Sequence, residues 1–333
     1  MKAIITGGAG FLGARLARAV LDKGTLKDGM GQDQPVTELV LIDVTEPSPI
    51  SDRRVTRVTG DISDPALLRS AIDAEAGAIF HLAAIVSGMA ESDFDLGMRI
   101  NVDATRTLLE LCRAAGRRPR IVFTSSVAVF GGELPQVLND ATALNPQTSY
   151  GVEKAIGEFL IADYTRKGFI DGRSLRLPTI TVRPGRPNAA ASSFASGIIR
   201  EPLNGEDAIC PVGPDARIWV ASPRTAIAGL LSANELPSDA LGNRRWVNVP
   251  GISVTAGEMA SSLDRVAGPE VVKRIRWERN ERIERMVLGW PPAIDNSRAI
   301  DLGFQVDGNF DSIIRRYIEE DLPVTSVRQG RQS

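Results

Sequence analysis

Residues 2–13 read Lys2-Ala3-Ile4-Ile5-Thr6-Gly7-Gly8-Ala9-Gly10-Phe11-Leu12-Gly13, and the fold is decided there. Lys2–Thr6 has the compact apolar character of a strand buried on both faces. Phe11–Lys23 follows with Leu12, Leu16, Ala19 and Val20 at helical spacing. The turn between them is glycine-rich, and each glycine has a distinct use. Gly7 can take the tight turn, Gly10 lets a backbone approach a pyrophosphate, and Gly13 lets the helix pack on the strand. The helix start, with Phe11 and Leu12 in its first turn, offers free N–H groups and a positive dipole end to phosphates. A glycine triplet alone is weak. Between a strand and a helix it reads as a dinucleotide-binding turn.

Working outward, Glu38–Val44 (ELVLIDV), Arg54–Thr59, Ala78–Ala83 (AIFHLA), Arg120–Ser125 (RIVFTS) and Ser174–Ile180 read as strands. Asp64–Ala74, Asp93–Ala115 and Ser149–Lys167 read as helices, the first opened by an Asp64-Pro65 cap. This alternation predicts an α/β fold, a doubly wound parallel sheet of the Rossmann type, with ligands at the carboxyl ends of its strands. After Ile180 the rhythm breaks, and residues 183–217 are rich in Pro, Gly, Ser and Arg. Pro223–Ala233, Thr255–Ala267 and Phe310–Leu322 are expected helices, and Arg245–Val249 an expected strand. The expected organisation is a cofactor domain over 1–182 and a smaller C-terminal substrate lobe over 183–323, with some return to the first domain near 218–250. Residues 324–333 read as a flexible tail. Thr25–Thr37 is a polar insertion, a surface loop or hairpin.

Composition excludes several classes. The chain has 333 residues and a net charge of −2, so no basic field for nucleic acid exists. One histidine (His81) and two cysteines (Cys112 and Cys210) leave no Cys/His zinc site to assemble, and no metal is expected. No run approaches about 18 apolar residues, so no membrane span is expected. The start of the chain leaves no room for a signal peptide, and the expected location is cytoplasmic.

Two further features carry chemistry. Asp43 ends the second strand, where a carboxylate accepts from both adenosine ribose hydroxyls and repels a 2′-phosphate, favouring NAD over NADP. Asp61-Ile62, after the third strand, can reach the adenine; a helix cap is the bland reading of Asp61. Tyr150 and Lys154 lie four apart on a predicted helix and leave the same face. Thr124-Ser125-Ser126 ends the fifth strand, at the ligand edge. A hydroxyl, a phenol and an ammonium beside a nicotinamide form a proton-transfer site for alcohol oxidation. Free tyrosine titrates near ~10, so a base near neutrality needs a fall of about three units, or ~4 kcal/mol. One cation at ~4 Å, at an effective dielectric of ~20, supplies about that.

Thr6–Gly13 (TGGAGFLG), Asp61-Ile62, His81–Ala84 (HLAA), Asn101-Val102, Ser125-Ser126 and Tyr150…Lys154 together resemble the extended short-chain dehydrogenase/reductase family, in its NAD-dependent epimerase/dehydratase branch. The resemblance implies Tyr150 as general acid/base, Lys154 as its partner and ribose ligand, and Ser126 orienting the substrate oxygen. It implies Asn101 as a structural or relay residue and Leu82, Ala83 and Ala84 along the cofactor channel. Ser125, Pro178 and Ile180 complete the implied cofactor contacts, and His81 is implied as a packing residue. A homodimer through the helices near 93–115 and 149–167 is implied too.

Departures from the family narrow the chemistry. The Asp-Glu pair of the dehydratases is replaced by Val127-Ala128. The family's usual segments are replaced by Leu177–Gly185 and by Arg217–Ser222, against a nucleotide-sugar site. These features resemble a group that oxidises the C2 hydroxyl of a four-carbon sugar acid with NAD. Such an acid needs a cation for its carboxylate, and arginine's planar fork matches one. Arg183 is the first candidate, with Arg186, Asn188, Arg200 and Arg217 behind it. Ser87 and Thr179 are candidates for the substrate hydroxyls. A nucleotide-sugar epimerase and a non-catalytic NAD-binding protein are the alternatives.

Overall fold

The computed structural model describes residues 1–73, 75–186 and 190–322. The expected tail over 324–333, Asn188, and Ala74 at the end of an expected helix lie outside the described residues. Seven strands form one parallel sheet: β1 (Lys2–Thr6), β2 (Glu38–Asp43), β3 (Val55–Thr59), β4 (Ala76–His81), β5 (Arg120–Ser126), β6 (Asp171–Leu177) and β7 (Trp246–Asn248). Their spatial order is β7-β6-β5-β4-β1-β2-β3. The order reverses between β1 and β4, and a crevice opens at such a switch point beyond the strand ends.

The helices that flank the sheet are α1 (Phe11–Lys23), α2 (Pro65–Ala71), α3 (Ser87–Ser92), α4 (Phe94–Gly97), α5 (Ala104–Ala115) and α6 (Ser149–Arg166). The chain continues through α7 (Ser193–Leu203) and α8 (Pro223–Glu235). Strand alternation assigns β1 to both cores. Ala3 and Ile5 meet Leu16, Val20, Leu230 and Ala233 of α1 and α8. Ile4 faces the other way, toward Leu68, Leu108 and Ile161 of α2, α5 and α6. Every residue of β1 is therefore buried.

The structure departs from the sequence expectations in three places and decides between two readings in a fourth. The single helix expected over Asp93–Ala115 is broken into α4, a π-helical stretch Met98–Asp103, and α5; α3 precedes them. Of the two readings of the Thr25–Thr37 insertion the structure takes the hairpin, Thr25–Lys27 against Asp33–Pro35. It is docked rather than loose, because Leu26 is buried and the Asn234 side chain bonds both backbone groups of Lys27. The strand expected over Ser174–Ile180 is two strands. β6 stays in the main sheet, while Thr179–Ile180 leaves it to pair with Arg217–Ala221, which pairs in turn with Ile252–Thr255. Finally, α7 lies inside the Pro- and Gly-rich stretch, where those residues masked its Phe194, Ile198 and Ile199 face.

The C-terminal elements pack α7, Ala256–Ala267 and Phe310–Glu320 around Val182, Ile198, Ile218, Val254, Met259 and Ile314. α8 and β7 return to the parallel sheet.

Candidate active site

The turn after β1 is latched in place by backbone bonds. Gly7 and Gly8 donate to Ile42 O at 2.8 and 3.0 Å, at the end of β2. Gly7 has a φ of +74°, and a Cβ there would stand 2.8 Å from Ala83 N. A Cβ on Gly13 would stand 2.0 Å from Gly7 O, so only glycine lets α1 sit this close to the turn. Gly10 caps α1 with no side-chain bond, and the first N–H groups of Phe11, Leu12 and Gly13 have no carbonyl within the helix. These donors and the open backbone suit a pyrophosphate. A cavity of about 1260 Å³ begins at Ala9, Gly10 and Phe11 and runs along α1 toward α8 and Pro184–Arg186.

Asp43 is half-buried at the end of β2. One carboxylate oxygen accepts from Ala9 N at 3.0 Å, the other from Thr45 N and Oγ1. No lysine or arginine among the described residues pairs with it. Asp61 accepts from Ser63 N at 2.8 Å, closing a turn, while the cap of α2 is Asp64, which accepts from Ala66 N at 2.8 Å. The bland reading of Asp61 as that helix's cap is thus corrected. Ile62 is buried under α2.

Beyond β4, Leu82 N and Ala83 N bond Thr6 O and Thr6 Oγ1, which draws Leu82–Ala84 against the glycine turn. His81 is buried between Thr6 Oγ1 (2.7 Å) and Thr105 Oγ1 (3.0 Å). Burial holds its imidazole down to about 3, with the nearby Lys154 charge adding to the effect. Asn101, in the π-helical stretch, clasps the Ile85 peptide: it accepts from Ile85 N at 2.8 Å and donates to Ile85 O at 3.1 Å.

The chemical groups meet at the start of α6. Thr148 caps the helix on Gly151 N at 3.2 Å. A Cβ on Gly151 would lie 2.3 Å from Ala128 O, so this glycine lets α6 approach the turn after β5. No pattern in the sequence singled out Gly151; its position next to Tyr150 is the only signal. The Ser126 hydroxyl accepts from Ala128 N at 3.1 Å and lies near enough to the Tyr150 phenol to act on its titration. One turn on, the Lys154 Nζ stands 5.7 Å from the Tyr150 ring centre and 4.8 Å over the Phe123 ring. Lys154 is 2% exposed, and burial brings its ammonium down to about 8.

The electrostatics differ from the simple arithmetic of one cation acidifying one phenol. Burial pushes Tyr150 up to about 12, against the lowering effect of the Ser126 hydroxyl and with the Glu153 carboxylate adding to the rise. The protein groups by themselves therefore keep the phenol protonated at neutral pH.

Ser125 is turned away from this cluster. Its hydroxyl donates to the buried Glu158 at 2.5 Å, and Glu158 is held in a two-pronged pair by Arg176. Alternation along β5 sends successive side chains to opposite faces, so Ser125 offers the site backbone alone. Pro178, Thr179 and Ile180 follow β6, with Thr179–Ile180 in the small sheet. Ser87 begins α3 and is half-buried. Arg183 follows two residues after Thr181. Its backbone is fixed by Ser196 Oγ (3.0 Å) and Arg200 Nη1 (2.8 Å), and its guanidinium pairs with no carboxylate among the described residues. Burial and the Arg200 charge press its pKa down, the signature of a cation short of an anion. Arg200 and Arg217 are committed to Glu201 and Glu258.

Residues 3–221 match the NAD dependent epimerase/dehydratase family. The chain belongs to that family. Within it, a D-erythronate dehydrogenase of Cupriavidus necator is 60% identical over 96% of this chain and 98% of its own length. A D-erythronate dehydrogenase of Haemophilus influenzae is 48% identical over 97% of this chain and its whole length. A crystal structure described as a nucleoside-diphosphate-sugar epimerase from Agrobacterium tumefaciens superposes with a TM-score of 0.91 at 44% identity, covering 97% of this chain and 95% of that one. The family's name implies use of NAD. No helix among the described residues is long and apolar enough to cross a membrane.

Proposed function

We infer that the protein oxidises the C2 hydroxyl of D-erythronate to the 2-oxo acid with NAD. The reading is carried by near full-length likeness to two D-erythronate dehydrogenases, in a chain that keeps Ser126, Tyr150 and Lys154 together. Tyr150 takes the proton of the C2 hydroxyl, and Ser126 orients that oxygen. Lys154 stabilises the phenolate and holds the nicotinamide ribose. The dinucleotide supplies the hydride acceptor and, when oxidised, a positive ring beside the phenol. Gly7, Gly10, Phe11, Leu12 and Gly13 hold the pyrophosphate, Asp61 and Ile62 the adenine, and Leu82, Ala83, Ala84, Pro178 and Ile180 the remainder, while Asn101 supports that wall through Ile85 rather than by touching the dinucleotide. Asp43 takes the adenosine ribose hydroxyls. Its lack of a cationic neighbour is what disfavours a 2′-phosphate.

Arg183 binds the substrate carboxylate, which keeps C2 in line. Ser87 and Thr179 bind the other hydroxyls. A homodimer through α5 and α6 belongs to the same reading, supported by Phe159 and Val152 standing 64% and 42% exposed on α6, as does a cytoplasmic location.

A nucleotide-sugar epimerase is the second reading, favoured by the superposed structure's description. Cofactor reduction across stereodefined three- to six-carbon sugar acids separates the two. The dehydrogenase reading expects NADH to accumulate with D-erythronate above its isomers. Retained cofactor with interconversion of a UDP-sugar and no net NADH would establish the epimerase.

A further inference from the structure

Glu153 lies between Tyr150 and Lys154 in sequence, yet nothing assigned to the site so far uses it. It is 0% exposed, unusual for a carboxylic acid without a cationic partner in contact. Asn101 Nδ2 donates to its Oε2 at 2.5 Å, while Oε1 has no hydrogen-bond partner. That orphan oxygen points at Gly97, where a Cβ would stand 2.3 Å from it. Asn101 in turn clasps both backbone groups of Ile85. The carboxyl thus ties the helix carrying Tyr150 and Lys154 to the loop carrying Ala83, Ala84 and Ser87, across the π-helical stretch. Such stretches recur where a functional residue must be re-aimed.

A buried carboxyl with an unmade bond is costly, and no ion pair among the described residues offsets that cost. Its electrostatic neighbours explain its retention. Lys154 and Tyr150 face it from its own helix, Asn101 from the π-helical stretch, and Glu91 from α3. His81 faces Lys154 from β4 and stays neutral.

We propose that Glu153 is a positioning residue of the reaction centre, a buried carboxyl that fixes the Ile85 loop through Asn101 and sets the charge felt by Tyr150 and Lys154. Burial raises its own pKa, while its negative charge adds to the rise of the Tyr150 phenol and opposes the burial-driven fall of the Lys154 ammonium. The role deepens the dehydrogenase reading, but one arm of its test does not depend on that reading.

The test uses E153Q and E153A in the full chain. E153Q keeps an oxygen for Asn101 and deletes the charge, so the pH profile of kcat/KM slides toward acid on both limbs by about 0.5–1 unit. Hydrogen exchange over residues 82–87 stays as in the wild type. E153A releases Asn101, and exchange over 82–87 quickens by about tenfold in a protein that still unfolds cooperatively. A superimposable E153Q profile would overturn the electrostatic role, and unchanged exchange in E153A would overturn the mechanical one. If the wild type reduces no NAD with D-erythronate, the substrate reading fails while the exchange arm still decides for or against Glu153.

Discussion

At the scale of the residue, the site is a set of wholly or partly buried charges with no opposite charge paired to them among the described residues. Among the described residues, Lys154 is buried without a carboxylate in contact, Arg183 pairs with no anion and Asp43 with no cation. Each suits a group on the proposed ligands: the nicotinamide ribose for Lys154, the substrate carboxylate for Arg183, the adenosine ribose hydroxyls for Asp43. Arg183 gives the sharpest expectation. Replacing it with alanine removes a charge-assisted bond worth about 1.5–3 kcal/mol. Steady-state kinetics should show KM for D-erythronate rising by roughly 10–150-fold while KM for NAD holds. A variant whose two KM values rise together would assign Arg183 to the fold instead. The residues were legible in sequence because their types are rare here: with three tyrosines, one of them four residues before a lysine stands out. The phenol's high pKa was not legible, since it comes from burial, which spacing does not reveal.

Among the elements, the turn from β1 into α1 and the start of α6 depend on backbone approach. Gly13→Ala places a methyl 2.0 Å from Gly7 O, a contact that backbone must yield to. Yielding moves the donors of Phe11 and Leu12 off the pyrophosphate. Calorimetry should find NAD affinity down by at least about tenfold with the fold retained, one lost or misaligned hydrogen bond being worth ~1.4 kcal/mol or more. Unaltered affinity would mean that the cradle lies elsewhere. Strands and helices of the first half were readable from period and punctuation. The break of Asp93–Ala115 into three pieces was not, because a π-helical stretch keeps helical composition and shifts only the bonding. The same limit hid Glu153, whose burial depends on α3 and α4 folding over α6.

For the molecule as a whole, the buried neutral imidazole makes stability depend on pH. His81 titrates near 6.5 when exposed and is held to about 3 in the fold, so only the unfolded chain binds a proton between those values. Its contribution is complete above about pH 6.5 and is lost progressively as pH falls toward 3. Denaturant unfolding followed from pH 7 to 4 should show the midpoint falling, and His81→Gln should flatten that fall; parallel curves would assign the acid sensitivity to other groups. The break in strand–helix alternation near Ile180 was legible, and it falls where Thr179–Ile180 leaves the parallel sheet. A return to the first half near residues 218–250 was expected from the helix over Pro223–Ala233 and the strand over Arg245–Val249, but not that Trp246–Asn248 pairs with β6, since pairing partners distant in sequence leave no local mark.

The central claim is that a hydride leaves C2 of a free four-carbon sugar acid for a dissociable dinucleotide. D-erythronate deuterated at C2, mixed with NAD and the protein, tests it most directly. The account predicts deuterium in the reduced dinucleotide, one equivalent for each 2-oxo acid formed. Deuterium retained in the organic product, with no reduced dinucleotide released, would contradict it.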